Sequence, residues 1–250
     1  MRRTLLVGAL LLAACGGGDD LATGNTTTGA TSPTTAPTTT TTAGAPPACE
    51  QIFAGSGNPD QVDTTADVDG DGEDDQVHSF ALEGSEAGPR FVLQVELAAG
   101  GGAEAEIPGD GVATVAIVGG HDLDGDGDGA DELWVRVGAG AYATILGLFR
   151  LDGCNLERIT SGGLPTELAV GSSVGSAIGV ECGGTEPGAV LTTFGGSRRS
   201  DDDQTFDMTT TEYALEDGAL VVVREGTAIV PADDADFQRY ITFACGDLTL

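Results

Sequence analysis

From residue 49 onward, short apolar runs alternate with clusters of glycine, aspartate and proline. Segments 76–82, 91–97, 112–118, 133–137, 144–151, 156–160, 189–194, 206–215 and 220–224 carry the alternating or β-branched apolar positions of strands. Gly, Asp or Pro interrupts every interval between them, as tight turns require. No capped amphipathic stretch of ordinary helical length follows the N-terminal leader. The best short-helix candidate is 231–239, with acids early and Arg239 late. The pattern predicts an all-β domain over residues 49–250.

The N-terminus reads differently. Arg2-Arg3 precedes an apolar stretch over 5–14, too short for a membrane-spanning helix, which takes roughly 20 residues. Leu12-Ala13-Ala14-Cys15 closes that stretch with small residues and a cysteine, completing an export signal over 1–14. These four residues resemble the lipobox of bacterial lipoproteins. The resemblance implies removal of the leader, acylation of Cys15, and a lipid-anchored extracytoplasmic protein at the bacterial cell surface. The remainder of 15–48 contains twelve Thr and four Pro and no apolar period. With no face to bury, it is expected to be a disordered tether, roughly 30–35 Å from end to end as a flexible coil.

Charge narrows the partners. The chain has 40 Asp+Glu against 10 Lys+Arg, a net charge of -30, and every basic residue is Arg. The first 48 residues hold equal numbers of acids and bases, so the whole imbalance belongs to the domain. Such a field repels phosphate, and no basic cluster larger than Arg198-Arg199 opposes it. Nucleic acid is excluded as a partner, an anionic membrane surface is disfavoured, and cations are the natural ligands.

Two acidic segments repeat. Asp67-Val68-Asp69-Gly70-Asp71-Gly72-Glu73-Asp74-Asp75 aligns with Asp124-Gly125-Asp126-Gly127-Asp128-Gly129-Ala130-Asp131-Glu132, and an apolar strand follows each. Concentrating carboxylates this closely is unfavourable unless a cation sits among them. Acids at loop positions 1, 3 and 5 converge because alternate side chains of a curled loop face inward. Glycine at 6 allows the turn, and a carbonyl at 7 and a carboxylate at 9 complete a shell of hard oxygens suited to calcium. The first site (67–75) would use Asp67, Asp69, Asp71, the Glu73 carbonyl and Asp75. The second (122–132) would use Asp124, Asp126, Asp128, the Ala130 carbonyl and Glu132. An alternative register with Asp122, Asp124, Asp126 and Asp131 is open, with Asp128-Gly129 as a two-residue insertion.

An EF-hand is ruled out, because position 12 is His78 or Val135 instead of Glu, and strands flank both loops. The pattern D-x-D-x-D-G-x-x-D running into an apolar strand instead resembles the FG-GAP or VCBS-type repeats of integrin-like β-propellers, over roughly residues 63–151. The resemblance implies two calcium sites and propeller-like strands. A closed propeller needs at least four blades, so the alternatives are degenerate C-terminal blades or a compact antiparallel β-domain built from two propeller-like units.

The remaining chemistry is sparse. Cys49, Cys154, Cys182 and Cys245 show no metal or redox spacing and suit two disulfides in an exported domain. Three connectivities are possible, of which Cys49–Cys245 with Cys154–Cys182 is the expected one. Gly171-Ser172-Ser173-Val174-Gly175 matches a nucleophile-elbow motif, but no His follows His121, and the segment reads as a turn. His78 and His121 adjoin the acidic loops, Trp134 reads as core, and Asp201-Asp202-Asp203 reads as a solvated loop. The expected function is a non-catalytic, calcium-binding binding or adhesion module of the cell envelope, with an envelope protein or glycan as ligand. The alternatives are a structural protein in which calcium only stabilises the fold, and a hydrolase of cell-wall carbohydrate.

Overall fold

The computed structural model describes residues 49–50, 61–82, 90–108, 115–123, 128–200 and 204–250, all within one unit, Ala45–Leu250. The leader, Cys15, the tether and Asp201-Asp202-Asp203 lie outside the described residues.

Strands β1 (Val62–Ala66), β2 (Asp75–Leu82), β3 (Arg90–Glu96) and β4 (Gly102–Pro108) form an antiparallel meander in that order. A second meander repeats the plan with β5 (Ala116–His121), β6 (Glu132–Ala139), β7 (Ala143–Asp152) and β8 (Asn155–Arg158). The two share one apolar core. Val77, Phe91, Leu93, Val95, Ala103 and Ile107 meet Leu133, Val135, Val137 and Phe149. Trp134, between Leu133 and Val135, points the other way into a second core with Leu146 and Leu148. Burial on both faces explains why β6 reads as a continuous apolar run instead of an alternation.

The C-terminal half comprises β9 (Thr160–Ser161), β10 (Leu164–Pro165), β11 (Leu168–Ser172), β12 (Ser176–Cys182), β13 (Leu191–Arg198), β14 (Thr205–Glu216), β15 (Ala219–Pro231) and β16 (Phe243–Ala244). Strands β11 to β15 form an antiparallel meander that starts against β7. The short β9 pairs in parallel with the start of β15. Only Ile159 separates β8 from β9, and its amide donates to the Leu148 carbonyl at 2.9 Å. The ladder leaving β7 through β11 therefore returns to β7 through β15, β9 and β8. The second core contains Leu146, Ile159, Leu168, Val170, Val180, Leu191, Leu215 and Leu220 from this circuit. The all-β expectation holds, and its compact β-domain form is the one observed; the strands do not close into a propeller.

Three expectations are corrected. Segment 231–239 is no helix: only a 3-10 turn, Phe237–Ile241, forms there, and its aromatics pack on the sheet through Phe194–Tyr240 and Phe206–Phe237 contacts, both at 5.1 Å between ring centroids. The strand expected at 112–118 lies at Ala116–His121, while 109–114 falls outside the described residues. The disulfides are Cys49–Cys154 and Cys182–Cys245, with Cα separations of 5.4 and 4.7 Å. Register explains the second: β16 runs parallel to β12 with Val180 opposite Phe243 and Glu181 opposite Ala244, so Cys182 meets Cys245 one step later. In the first, the Glu50 carbonyl accepts the Gly102 amide at 3.0 Å, which holds the start of the domain along the β4 end of the first meander.

Candidate metal centre

The β1–β2 connection, residues 67–74, is the first acidic loop. Gly70 and Gly72 take positive φ values of 71° and 88°, which L side chains rarely adopt, and these curl the loop tightly. The curl directs alternate carboxylates inward: one oxygen each from Asp67, Asp69 and Asp71 lies within 4.8 Å of the others. Loop amides support the same three groups. Gly72 N donates to Asp67 Oδ2 at 2.9 Å, Asp71 N to Asp69 Oδ1 at 3.2 Å, and Glu73 N to Asp71 Oδ1 at 2.8 Å. Asp67 Oδ1 is buried and receives no hydrogen bond among the described residues. A buried, acceptor-only oxygen without a donor is costly, and a cation beside it would relieve that cost. The all-oxygen donor set fits a hard cation such as calcium.

Asp75 lies outside this three-carboxylate group. It is 1% exposed, and its two oxygens accept the Val68 amide at 2.9 Å and the Ala98 amide at 2.8 Å. It braces the loop against the β3–β4 turn. Burial raises the carboxyl pKa of Asp69 and of Asp75 above the usual range, and neighbouring acids push both further in the same direction.

In the second loop Asp124 and Asp126 lie outside the described residues. Asp128 is exposed and accepts the Ala130 amide at 2.9 Å. Glu132, 3% exposed, accepts the Leu123 amide at 3.0 Å. That bond is the counterpart of Val68 to Asp75, and it aligns Asp122 with Asp67. Glu132 then stands two residues later than Asp75 does in its loop, which favours the register beginning at Asp122 with a two-residue insertion.

The two loops are joined directly. Asp131 Oδ2 accepts the Asp67 amide at 3.1 Å, and the Asp131 amide donates to the Asp67 carbonyl at 2.7 Å. The Asp131 carboxylate also accepts the Asp122 amide, and burial raises its pKa. Gly70 packs against the second loop so closely that a Cβ there would stand 2.9 Å from the Asp128 carbonyl oxygen. Gly70→Ala is therefore expected to cost about 1–2 kcal/mol from backbone conformation alone. Urea unfolding checks this; an unchanged midpoint would refute the interlocked-loop geometry.

The other candidates resolve differently. His78, 8% exposed, bonds through Nδ1 to Asp63 Oδ1 at 2.7 Å, across the β1–β2 ladder where the two residues are opposite one another. This bond, with one from Gln61, holds the Asp63 carboxyl below its usual pKa. His121 ends β5 and faces Gly246. Trp134 is fully buried, edge-on to Phe243 at 5.1 Å. The Gly171–Gly175 motif is the β11–β12 hairpin turn, closed by Ser173 N to the Ser176 carbonyl at 2.9 Å. A strand instead of a helix follows Ser173, so no nucleophile elbow forms.

One feature escaped the sequence reading. A cleft of about 260 Å³ lies over β13–β15, lined among others by Thr192, Thr210, Glu212, Arg224 and Tyr240. Glu212 is 4% exposed and accepts Thr185 Oγ1 at 2.6 Å and the Glu186 amide at 2.9 Å. Those bonds, led by Thr185, hold its pKa below the ordinary carboxyl value. It stays ionised at neutral pH and is unsuited to act as a general acid there. Its only sequence signal is a single acid within a run of threonines.

Compared with protein-family models, with curated proteins and with solved structures, the chain matches none.

Proposed function

We propose that this protein is a lipid-anchored, extracytoplasmic, calcium-binding β-domain that serves as a non-catalytic binding module of the bacterial cell envelope. The observation that carries the calcium assignment is the convergence of Asp67, Asp69 and Asp71, one carboxylate oxygen of each within 4.8 Å of the others, beside the buried Asp67 Oδ1 that receives no hydrogen bond among the described residues. The repeat of that loop, the lipobox-like Leu12-Ala13-Ala14-Cys15 and the similarity to FG-GAP or VCBS-type repeats support the wider reading. Cys15 would hold the lipid. Asp67, Asp69 and Asp71 would form the first site, and Asp122, Asp124 and Asp126 the second. Calcium would supply charge neutralisation and loop order, with no reaction to perform.

The Asp67–Asp131 latch favours a second reading, in which calcium serves only to lock the two meanders together. Both readings require binding. Isothermal titration with calcium is expected to show uptake at sub-millimolar to millimolar concentrations, the range of extracellular modules (~10⁻⁴–10⁻³ M). The double variant Asp69→Asn/Asp71→Asn is expected to lose the first site. Absence of heat in the wild-type protein would overturn the metal assignment.

A further inference from the structure

Strand β15 is unusual for its length and exposure. It pairs with β14 along Ala219–Pro231, whereas β9 covers its other edge only at Ala219 and Leu220. Among the described residues no strand pairs with that edge from 221 onward. Val221, Val222, Val223 and Ile229 are 39%, 54%, 41% and 57% exposed. Edge strands are normally blunted by charged residues, proline, bulges or brevity. This one carries Arg224, Glu225 and a register shift opposite Glu212 and Tyr213, but past that point Gly226 to Val230 have no charge, and its one proline, Pro231, stands at the far end.

The orientation of its backbone groups follows from the ladder. The Ala232 amide donates to the Gln204 carbonyl, and the Arg199 amide to the Thr205 carbonyl. Even-numbered residues of β14 therefore bond toward β15 and odd-numbered ones toward β13. By the same alternation Arg224, Gly226, Ala228 and Val230 bond inward to β14, and Glu225, Thr227 and Ile229 turn their N–H and C=O groups to the open edge.

We propose that the open edge of β15 is a docking strand for an extended, cationic segment of a partner polypeptide, which adds to the sheet as a further strand. Backbone pairing would satisfy Glu225, Thr227 and Ile229, and apolar side chains of the segment would cover the valines. Charge selects the occupant. The chain carries -30, and beside this edge Glu186 and Glu212 share the one Arg224, Asp207 pairs with Arg199, and Glu225 is exposed. Acids therefore outnumber bases there, so a second copy is repelled and a basic segment attracted.

The test uses a fluorescent octapeptide of alternating lysine and valine, its D-enantiomer and a glutamate–valine counterpart, read by anisotropy. The L-lysine peptide is expected to bind, and the other two about tenfold or more weaker. Thr227→Pro removes only an outward N–H, so it is expected to keep the β14 ladder and melting temperature while losing about tenfold or more in affinity. Should that variant fail to fold, Ile229→Lys, which leaves the backbone intact and adds a gatekeeping charge, is expected to show the same loss. Undiminished binding by a folded variant, or equal binding of the D-peptide, would overturn the proposal in favour of diffuse charge attraction. Wild-type dimers in sedimentation that Thr227→Pro abolishes would overturn it in favour of a second copy.

Discussion

Replacing Cys182 and Cys245 with serine is expected to lower the unfolding free energy by roughly 4 kcal/mol, and losing both disulfides is expected to leave the domain unfolded at 37 °C. The bridges join residues 63 and 105 apart in sequence, and closing loops of that size in the unfolded chain is worth roughly 4–5 kcal/mol each. Whole domains are stable by only about 5–15 kcal/mol, so two such losses exhaust most of the margin. Position adds to the effect. Cys245 is fully buried in the second core, and β16 is a two-residue strand, so the bridge fixes the C-terminal segment onto β12 where few backbone bonds could. Trp134, the single tryptophan, is buried in the same core and reports the transition by fluorescence. An unchanged urea midpoint after reduction would contradict this, and peptide mapping of the oxidised protein distinguishes the observed pairing from Cys49–Cys245 with Cys154–Cys182.

That pairing shows where sequence reasoning stops. Strands with bulky apolar residues, such as β2, β3, β6, β7 and β14, were legible because alternation and β-branching are local properties. Strand β4 was not. Its core positions include Ala103 and Ala105 between Glu104 and Glu106, a period-two pattern written in residues of weak strand preference. Strands β11 and β12 carry glycines that read as turn punctuation, yet Gly179 sits in mid-strand because Tyr240 and Arg239 backbone atoms approach where a Cβ would be, the nearest at 2.9 Å. The helix expected at 231–239 failed for a related reason: Phe237 and Tyr240 are held by contacts with distant strands, which local propensity cannot anticipate. Disulfide pairing depends on the parallel register of β16 with β12, a relation between segments that no spacing rule encodes.

The first acidic loop was legible because its chemistry is local. Acids two residues apart on a glycine-curled loop must converge, and Asp67, Asp69 and Asp71 do. The roles of Asp75 and Asp131 were not legible. Both have the residue type of a metal ligand, but their carboxylates hold amides of Val68, Ala98, Asp67 and Asp122, which only the folded arrangement brings within reach. The latch between the loops likewise exists only once the two meanders have packed.

Calcium is expected to raise the melting temperature by roughly 5–10 °C at neutral pH, and by much less near pH 4. For a site of ~0.1 mM affinity, 10 mM calcium stabilises the folded state by about 2.7 kcal/mol, and each kcal/mol moves a domain of this size by about 2–4 °C. The pH dependence follows from the carboxyls of Asp69, Asp75 and Asp131, which burial raises above their usual value. A raised folded-state pKa means that the folded protein holds the proton more tightly than the unfolded chain does. Without metal, the loops' contribution to stability is therefore present at low pH and lost as pH rises through the raised carboxyl range. Asp63 and Glu212 work in the opposite sense: both are lowered, so their contribution is present above the ordinary carboxyl range and lost on acidification. Of these three carboxyls only Asp69 belongs to the first site, and there calcium competes with the proton, so its stabilisation grows over the pH range in which metal-free Asp69 loses its own. Calorimetric melts from pH 4 to 7, with and without calcium, should therefore diverge as pH rises. In the Asp69→Asn/Asp71→Asn variant that divergence should shrink, because the first site is gone. Parallel melting curves across that range would show that the loop carboxylates hold no metal.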